Sequence, residues 1–296
     1  RLKKRVFILA CTILSGITGI CQQRETEYAE PAFTHNQLIN GQTTRIQAPG
    51  SWFFKLQHRF GQVGIDSSLY GQFLGLDLPS VIRFSFGKSI NDRLYIEAGR
   101  TNHQRTIDLE VKYLLARQTT DFKIPVSVAV YLNIGWRTEK FPAVPPDAVF
   151  GITNTPFKYK PAHRLSYNSQ VIISSRLSDK LSLQLAPVFV YHNLVPAGQD
   201  NLTVSLTGGG RYKTGLISSF LLEYAHVFNN RFGSFRNPIS AGMEFATAGH
   251  VFQLFVSTAP RINESHIYST SATDLADGKF LIGFNLQRNF WKKQKK

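Results

Sequence analysis

The sequence predicts an all-β fold, a transmembrane antiparallel β-barrel of about twelve strands with short periplasmic turns and long external loops. Three observations predict it. The chain of 296 residues is 43% hydrophobic and 18% charged, with 23 Phe and 11 Tyr against one Met, a balance that excludes a disordered chain and disfavours a helical bundle. Segments with period-two alternation of apolar and polar residues recur from Trp52 onward. The connections between them sort by length into two sets, which a soluble β-sandwich has no reason to do.

The first element is an export signal, residues 1–21. Residues 1–5 are basic and residues 6–20 apolar, softened by Thr12, Ser15 and Thr18, and the stretch is too short to span a bilayer as a stable helix. Cleavage after Cys21 puts Gly19 and Cys21 at the small-residue positions and removes both cysteines, Cys11 and Cys21, so no disulfide or cysteine-ligated metal is expected in the folded body. The alternative is a lipoprotein signal with Cys21 lipidated; Ile20 speaks against it, because a small residue normally precedes that cysteine. Beyond the signal no run of 18 apolar residues occurs, so no membrane helix is expected. Residues 22–50, with Glu25, Glu27, Glu30 and Pro31, read as a periplasmic N-terminal segment, of which 39–49 could add a short strand or enter the lumen as a plug.

The barrel is expected over 51–291, followed by a basic periplasmic tail, 292–296. Its strands fall at 52–60, 80–88, 93–101, 106–117, 123–136, 164–177, 180–192, 201–213, 216–228, 236–247, 249–258 and 279–290. Ile107, Leu109, Val111 and Tyr113 alternate clearly with Asp108, Glu110 and Lys112 in the fourth, and Leu181, Leu183 and Leu185 alternate with Ser182 and Gln184 in the seventh. Links after the odd strands (61–79, 102–105, 137–163, 193–200, 229–235, 259–278) are mostly long, and those after the even strands are tight, as at Ser178-Asp179 and Thr214-Gly215. Trp52, Tyr212, Phe290 and Trp291 then fall at periplasmic ends, with Phe60, Trp136, Tyr191 and Phe228 at external ends, a double aromatic girdle. The last strand sets Phe280, Ile282, Phe284 and Leu286 against Gly283, Asn285 and Gln287 and closes near an aromatic residue, loosely matching a C-terminal assembly signal that Arg288 interrupts.

The net charge of +15 does not point to nucleic acid. Arg1, Lys3, Lys4 and Arg5 carry four of those charges and Lys292, Lys293, Lys295 and Lys296 four more, leaving +7 on a chain where acids and bases are interspersed without a basic helix.

Leu38-Ile39-Asn40-Gly41-Gln42, His58-Arg59-Phe60-Gly61, Leu74-Gly75-Leu76-Asp77 and Asp92-Arg93-Leu94 resemble a family of Bacteroidetes-type outer-membrane β-barrel proteins of unknown function. The resemblance covers most of residues 38–290 and is most specific at 58–61. It implies a barrel in the bacterial outer membrane and carries over no substrate, cofactor or catalytic residue.

Alternation points Lys55, Gln57, Arg59, Arg83, Ser85, Glu97, Asp108, Glu110 and Lys112 into the lumen on the first four strands, a wall carrying both signs of charge. Ser166, Asn168, Gln170, Thr203, Ser205, Ser219 and Ser240 extend it as uncharged polar groups, with Arg211, Glu223 and Glu244 as isolated charges. Such a wall either filters solutes or fills a modest lumen with salt bridges. His58 and Ser80 are both expected to face lipid near the external rim, where a histidine base could activate a serine, but no orienting third group is identifiable and small polar residues are common at strand starts. Gly208-Gly209-Gly210 before Lys213-Thr214 lacks the glycine and the helix of a phosphate loop, and is expected to let a strand bend or neighbouring chain approach closely. The Asn201-Leu202-Thr203 and Asn263-Glu264-Ser265 sequons carry little meaning in a bacterial outer membrane.

The function expected is a narrow, weakly selective channel for small polar solutes, with outer-membrane lipids around it and neither cofactor nor metal nor enzymatic activity. The rivals are a non-conducting structural or docking barrel presenting loops 137–163 and 259–278 to a partner protein and, behind it, an outer-membrane lipid hydrolase. An open lumen favours the channel; one closed by 22–50 or by an inward-folded loop favours docking.

Overall fold

The computed structural model describes residues 27–151, 153–231, 235–270 and 272–291. The expected signal and the basic tail lie outside the described residues. The alternating segments form twelve long strands: β1 (Trp52–Arg59), β2 (Val81–Ser89), β3 (Leu94–Thr101), β4 (Thr106–Ala116), β5 (Ser127–Arg137), β6 (Leu165–Arg176), β7 (Leu181–His192), β8 (Leu202–Lys213), β9 (Ser218–Val227), β10 (Ile239–Ala246), β11 (His250–Ser257) and β12 (Lys279–Phe290). Each is antiparallel to its neighbours, and β1 returns to β12 in register from Trp52 opposite Phe290 to Arg59 opposite Gly283, closing the sheet. Closure pairs every strand on both sides, the condition for a strand-built wall with no water to satisfy its backbone. A two-residue strand, Val63–Gly64, extends the sheet beside Lys279 and Phe280.

The largest departure from the expected strand limits is at β5, which begins at Ser127 rather than at 123. There the Thr119 amide donates to the Ile124 carbonyl at 3.0 Å, Phe122 adopts a left-handed φ of 56°, and the Asp121 carboxylate accepts the Thr119 hydroxyl, so the chain is still turning. Pro125 then has no amide for the ladder. Two short helices also escape the period-two reading. Helix α1 (Ser67–Gly71) is capped by the Asp66 side chain, and α2 (Glu264–Ile267) by Asn263, each in a long loop.

Outward positions are apolar: Phe84, Phe86, Leu109, Leu132, Leu183, Leu185, Phe189, Leu222 and Leu254 are all exposed on the wall. Trp52, Tyr212, Phe290 and Trp291 are exposed at the turn rim, and Trp136, Tyr191 and Phe228 at the loop rim. Inward positions are buried, and this is where the core sits. It is polar over much of its surface, yet it holds Phe53, Tyr95, Tyr131, Val188, Val190, Leu221 and Phe255 as well.

An arginine at outward Leu185 should therefore cost about 2–4 kcal/mol of folding free energy in a bilayer. Leu216→Arg, on the turn after β8 where the side chain is 96% exposed, should cost almost nothing. Denaturant titrations of folding into lipid vesicles compare the two; equal losses would contradict the assigned facing.

Candidate functional site, a lumen closed from both rims

Twelve strands enclose more space than their own side chains fill. The chain fills it from each end. At the turn rim, Ala29 N–H donates to the Gln118 carbonyl at 2.9 Å and Glu30 pairs with Arg176 at 2.6 Å. Residues 32–47 then run inside the barrel as a hairpin, bridged at Gln37 and Gln42, with the Leu38 amide donating to Gly41 O at 2.8 Å. Of the two placements expected for 39–49, a short strand or a plug in the lumen, the structure shows residues 39–47 in the lumen, together with 32–38. Two forces hold the hairpin there. Phe33, Leu38 and Ile39 bury apolar surface against Leu221 and Phe255. Gly209 makes the room: a Cβ there would stand 2.4 Å from Leu38 Cδ2 and 2.6 Å from the Leu222 carbonyl, so the glycine run of β8 serves close approach.

The second force is polar. The hairpin tip is the Leu38-Ile39-Asn40-Gly41 stretch, whose turn leaves amides unpaired. The buried Glu223 carboxylate accepts the amides of Ile39, Asn40 and Gly41 at 3.0–3.2 Å, a charge-assisted grip from the wall of β9. Arg59 donates to Asn40 Oδ1 at 3.1 Å and to Asn285 Oδ1 at 3.0 Å while its guanidinium covers the Phe255 ring at 4.3 Å. Asn40 Nδ2 donates to Ser240 Oγ at 2.8 Å, Lys112 Nζ to Asn36 O at 3.0 Å, and Gln184 Nε2 to Gln42 O at 2.9 Å. Glu244 receives Arg211 at 2.9 Å and the Thr34 hydroxyl.

Beside the hairpin lies a buried ion cluster. Arg83 reaches Glu97 at 3.0 Å, Asp108 at 2.5 Å and Glu110 at 2.6 Å, and Lys55 reaches Glu97 at 2.8 Å. Its guanidinium lies against Gly99, where a Cβ would come within 2.4 Å of Nη2. The expected charged wall is therefore present as a set of inward groups, but they are spent on one another and on the hairpin, as when Lys55 Nζ donates to Gln37 Oε1 at 3.3 Å. Ser166, Asn168, Gln170, Thr203, Ser205, Ser219 and Ser240 are buried inward too, and Arg211 is partly exposed.

From the loop rim, the connection after β11 folds inward instead of presenting itself outside: Ala259, Ile262, Asn263, Glu264, Ser265, Ile267 and Tyr268 are buried. This corrects the expectation for 259–278 over that stretch. The reason is apolar contact, since Ile267 and Tyr268 pack on the inward Val188 and Val190. The lid meets the hairpin at Glu264, which accepts Gln42 Nε2 at 2.6 Å, Gln37 Nε2 at 3.2 Å and Gln170 Nε2 at 2.8 Å. Glu264, Gln37, Gln42 and Asn40 were not among the expected site residues. The signal that could have found them is the inward apolar set, Val188, Val190, Leu221 and Phe255, which a water-filled lumen would not favour.

Above the lid, a cleft of about 420 Å³ opens to the loop rim between Gln104, Arg137, Phe141, His163, Arg164 and His266. Burial pushes the His103 imidazole down to about 4 and that of His266 well below its ordinary value, so both are neutral near pH 7. Loop 137–163 does stand outward, with Phe141 stacked on Tyr159 at 4.0 Å. His58 stacks on Phe284 at 5.2 Å with its Nδ1 buried and without a hydrogen-bond partner, and the Ser80 backbone carbonyl accepts Asn102 Nδ2 at 2.9 Å.

Residues 33–290 match the family described as a membrane bound beta barrel domain, DUF5777. No curated protein matches the chain. Among solved structures it is similar to the KdgM porin (11% identity, TM-score 0.48, covering 81% of this chain and 99% of that one). It is also similar to the NanC porin in a rhombohedral crystal form (7%, 0.49, 81% and 99%). An outer membrane channel from Pseudomonas putida F1 follows at 10% identity and a TM-score of 0.44, with 83% and 98% covered.

Glu223→Gln removes the charge from the grip on the hairpin tip and should weaken it by about 1–3 kcal/mol. Amide exchange at Ile39, Asn40 and Gly41 should accelerate about tenfold or more while exchange in β9 is unchanged. Unchanged exchange at all three would show that the carboxylate does not hold the tip. Arg83→Gln strands the buried carboxylates of Asp108 and Glu110, Glu97 keeping Lys55, and should cost about 3–5 kcal/mol in the same vesicle titrations; a loss below about 1 kcal/mol would show the cluster to be hydrated.

Proposed function

The chain belongs to the family of membrane-bound β-barrel domains DUF5777, and on that premise we propose that it works in the bacterial outer membrane as a gated barrel, closed at rest, through which small polar solutes pass only when the 32–47 hairpin and the lid withdraw. Its short turns face the periplasm and its long loops the exterior, so the hairpin enters from the periplasmic side. A permanently open, weakly selective channel is not the resting state, because both closures foreseen for a non-conducting barrel are present at once.

The observation that carries the gated reading is the chemistry beneath the hairpin. It is held largely by hydrogen bonds to Glu223, Arg59, Ser240, Lys112 and Gln184. Withdrawal exposes those groups to water, which satisfies them, and leaves a hydrophilic passage. The docking barrel is the second reading, favoured by closure itself and by the outward aromatic loop 137–163.

Planar-bilayer recordings separate the two. Wild-type protein should be silent for most of the recording. A variant lacking 32–47, with the lid residues 262–270 replaced by a short Gly-Ser linker, should conduct steadily. Silence from that variant, folded as judged by its altered gel migration before heating, would favour the docking barrel.

A further inference from the structure

The loop-rim cleft lies above the closure, with His266, Ser269 and Thr270 of the lid in its lining, and its chemistry is one-sided. No Asp or Glu is among the described residues lining it, whereas Arg137, Arg164, His163 and His266 are. Arg137 and Arg164 lie over the same ring, Phe141, at 5.1 and 4.4 Å, so two like charges are held close together. Among the described residues one acid compensates them. Glu139 takes Arg137 Nη2 at 2.9 Å, and Arg164 Nη1 is committed to the backbone carbonyls of Arg137 and Glu139 at 3.0 and 2.6 Å. That holds both guanidiniums in place, and each keeps terminal N–H groups beyond those bonds; Arg137 Nε itself is buried without a partner and out of reach of the cleft. A rigid pair of guanidiniums with unspent donors is the arrangement that recognises a planar or tetrahedral oxyanion. Gln104 and Thr270 supply neutral donors around it, and the volume of about 420 Å³ admits a molecule of several heavy atoms.

We propose that this cleft is a binding site for small solutes carrying an oxyanion, a carboxylate or a phosphate, and that Arg137 and Arg164 are the pair that recognises the charge. The neighbouring imidazoles of His163 and His266 serve as neutral hydrogen-bonding groups. Binding here is read without conduction: it requires the cleft with the lid in place and not an open lumen, so a titration tests it whether or not the barrel ever opens.

Isothermal titration of the detergent-solubilised full chain with succinate, inorganic phosphate and the neutral isostere succinamide tests it. At least one of the two anions should bind saturably, and succinamide should not; which anion binds tells carboxylate from phosphate. Arg137→Gln with Arg164→Gln should weaken that binding about tenfold or more, with the folded band on unheated gels retained. The proposal is overturned if neither anion saturates, if succinamide binds as well as succinate, or if the double variant binds as tightly as wild type. The comparison of succinate and phosphate with succinamide needs no variant and can overturn the proposal by itself.

Discussion

A dry lumen disfavours unpaired charge, and the acids inside this barrel answer that constraint. Inward strand positions carry Glu97, Asp108, Glu110, Glu223 and Glu244, and each has a positive or N–H partner within the barrel. Glu223 is the most telling, because what it pairs with is backbone. The three amides at the hairpin tip would be orphans in any other buried setting, and the carboxylate would be an unpaired charge without them. Each satisfies the other only when the hairpin is inside.

The same constraint explains why the closure is polar and doubled. An apolar filling of this volume would need many large inward side chains, and the strands supply them only in patches, around Phe53 and Tyr95, around Leu221 and Phe255, and around Val188 and Val190. Between the patches, polar groups of wall, hairpin and lid interlock through Gln37, Gln42 and Glu264. Such a network is specific in geometry and modest in net free energy, because water offers its members nearly equivalent partners. A closure of this kind is compatible with opening in a way that a packed apolar core is not.

The wall was legible in the sequence because a strand reports its own facing with a period of two. Leu109 against Glu110, or Leu185 against Gln184, fixes inside and outside locally, and loop lengths fix the order of strands. The contents of the lumen were not legible in the same way. Residues 32–47 have no period, since a buried irregular hairpin makes many of its hydrogen bonds to groups far off in sequence, as Ile39 does to Glu223 and Gln42 to Glu264. The lid is hidden for the same reason: Asn263-Glu264-Ser265 reads as an external sequon until Glu264 is seen to meet the hairpin. Only the inward apolar residues of β7, β9 and β11 carried a trace of both.

The central claim is that the 32–47 hairpin occupies the lumen in the membrane, and a cross-link tests it most directly. Asn40 Nδ2 lies 2.8 Å from Ser240 Oγ, and the sequence has no cysteine beyond Cys21, so Asn40→Cys with Ser240→Cys introduces one defined pair. Mild oxidation of intact outer membranes should link the two within one chain, read as a mobility shift that reductant reverses. Failure to link, with both thiols labelled freely by a small water-soluble maleimide, would put the hairpin outside the barrel and contradict the account.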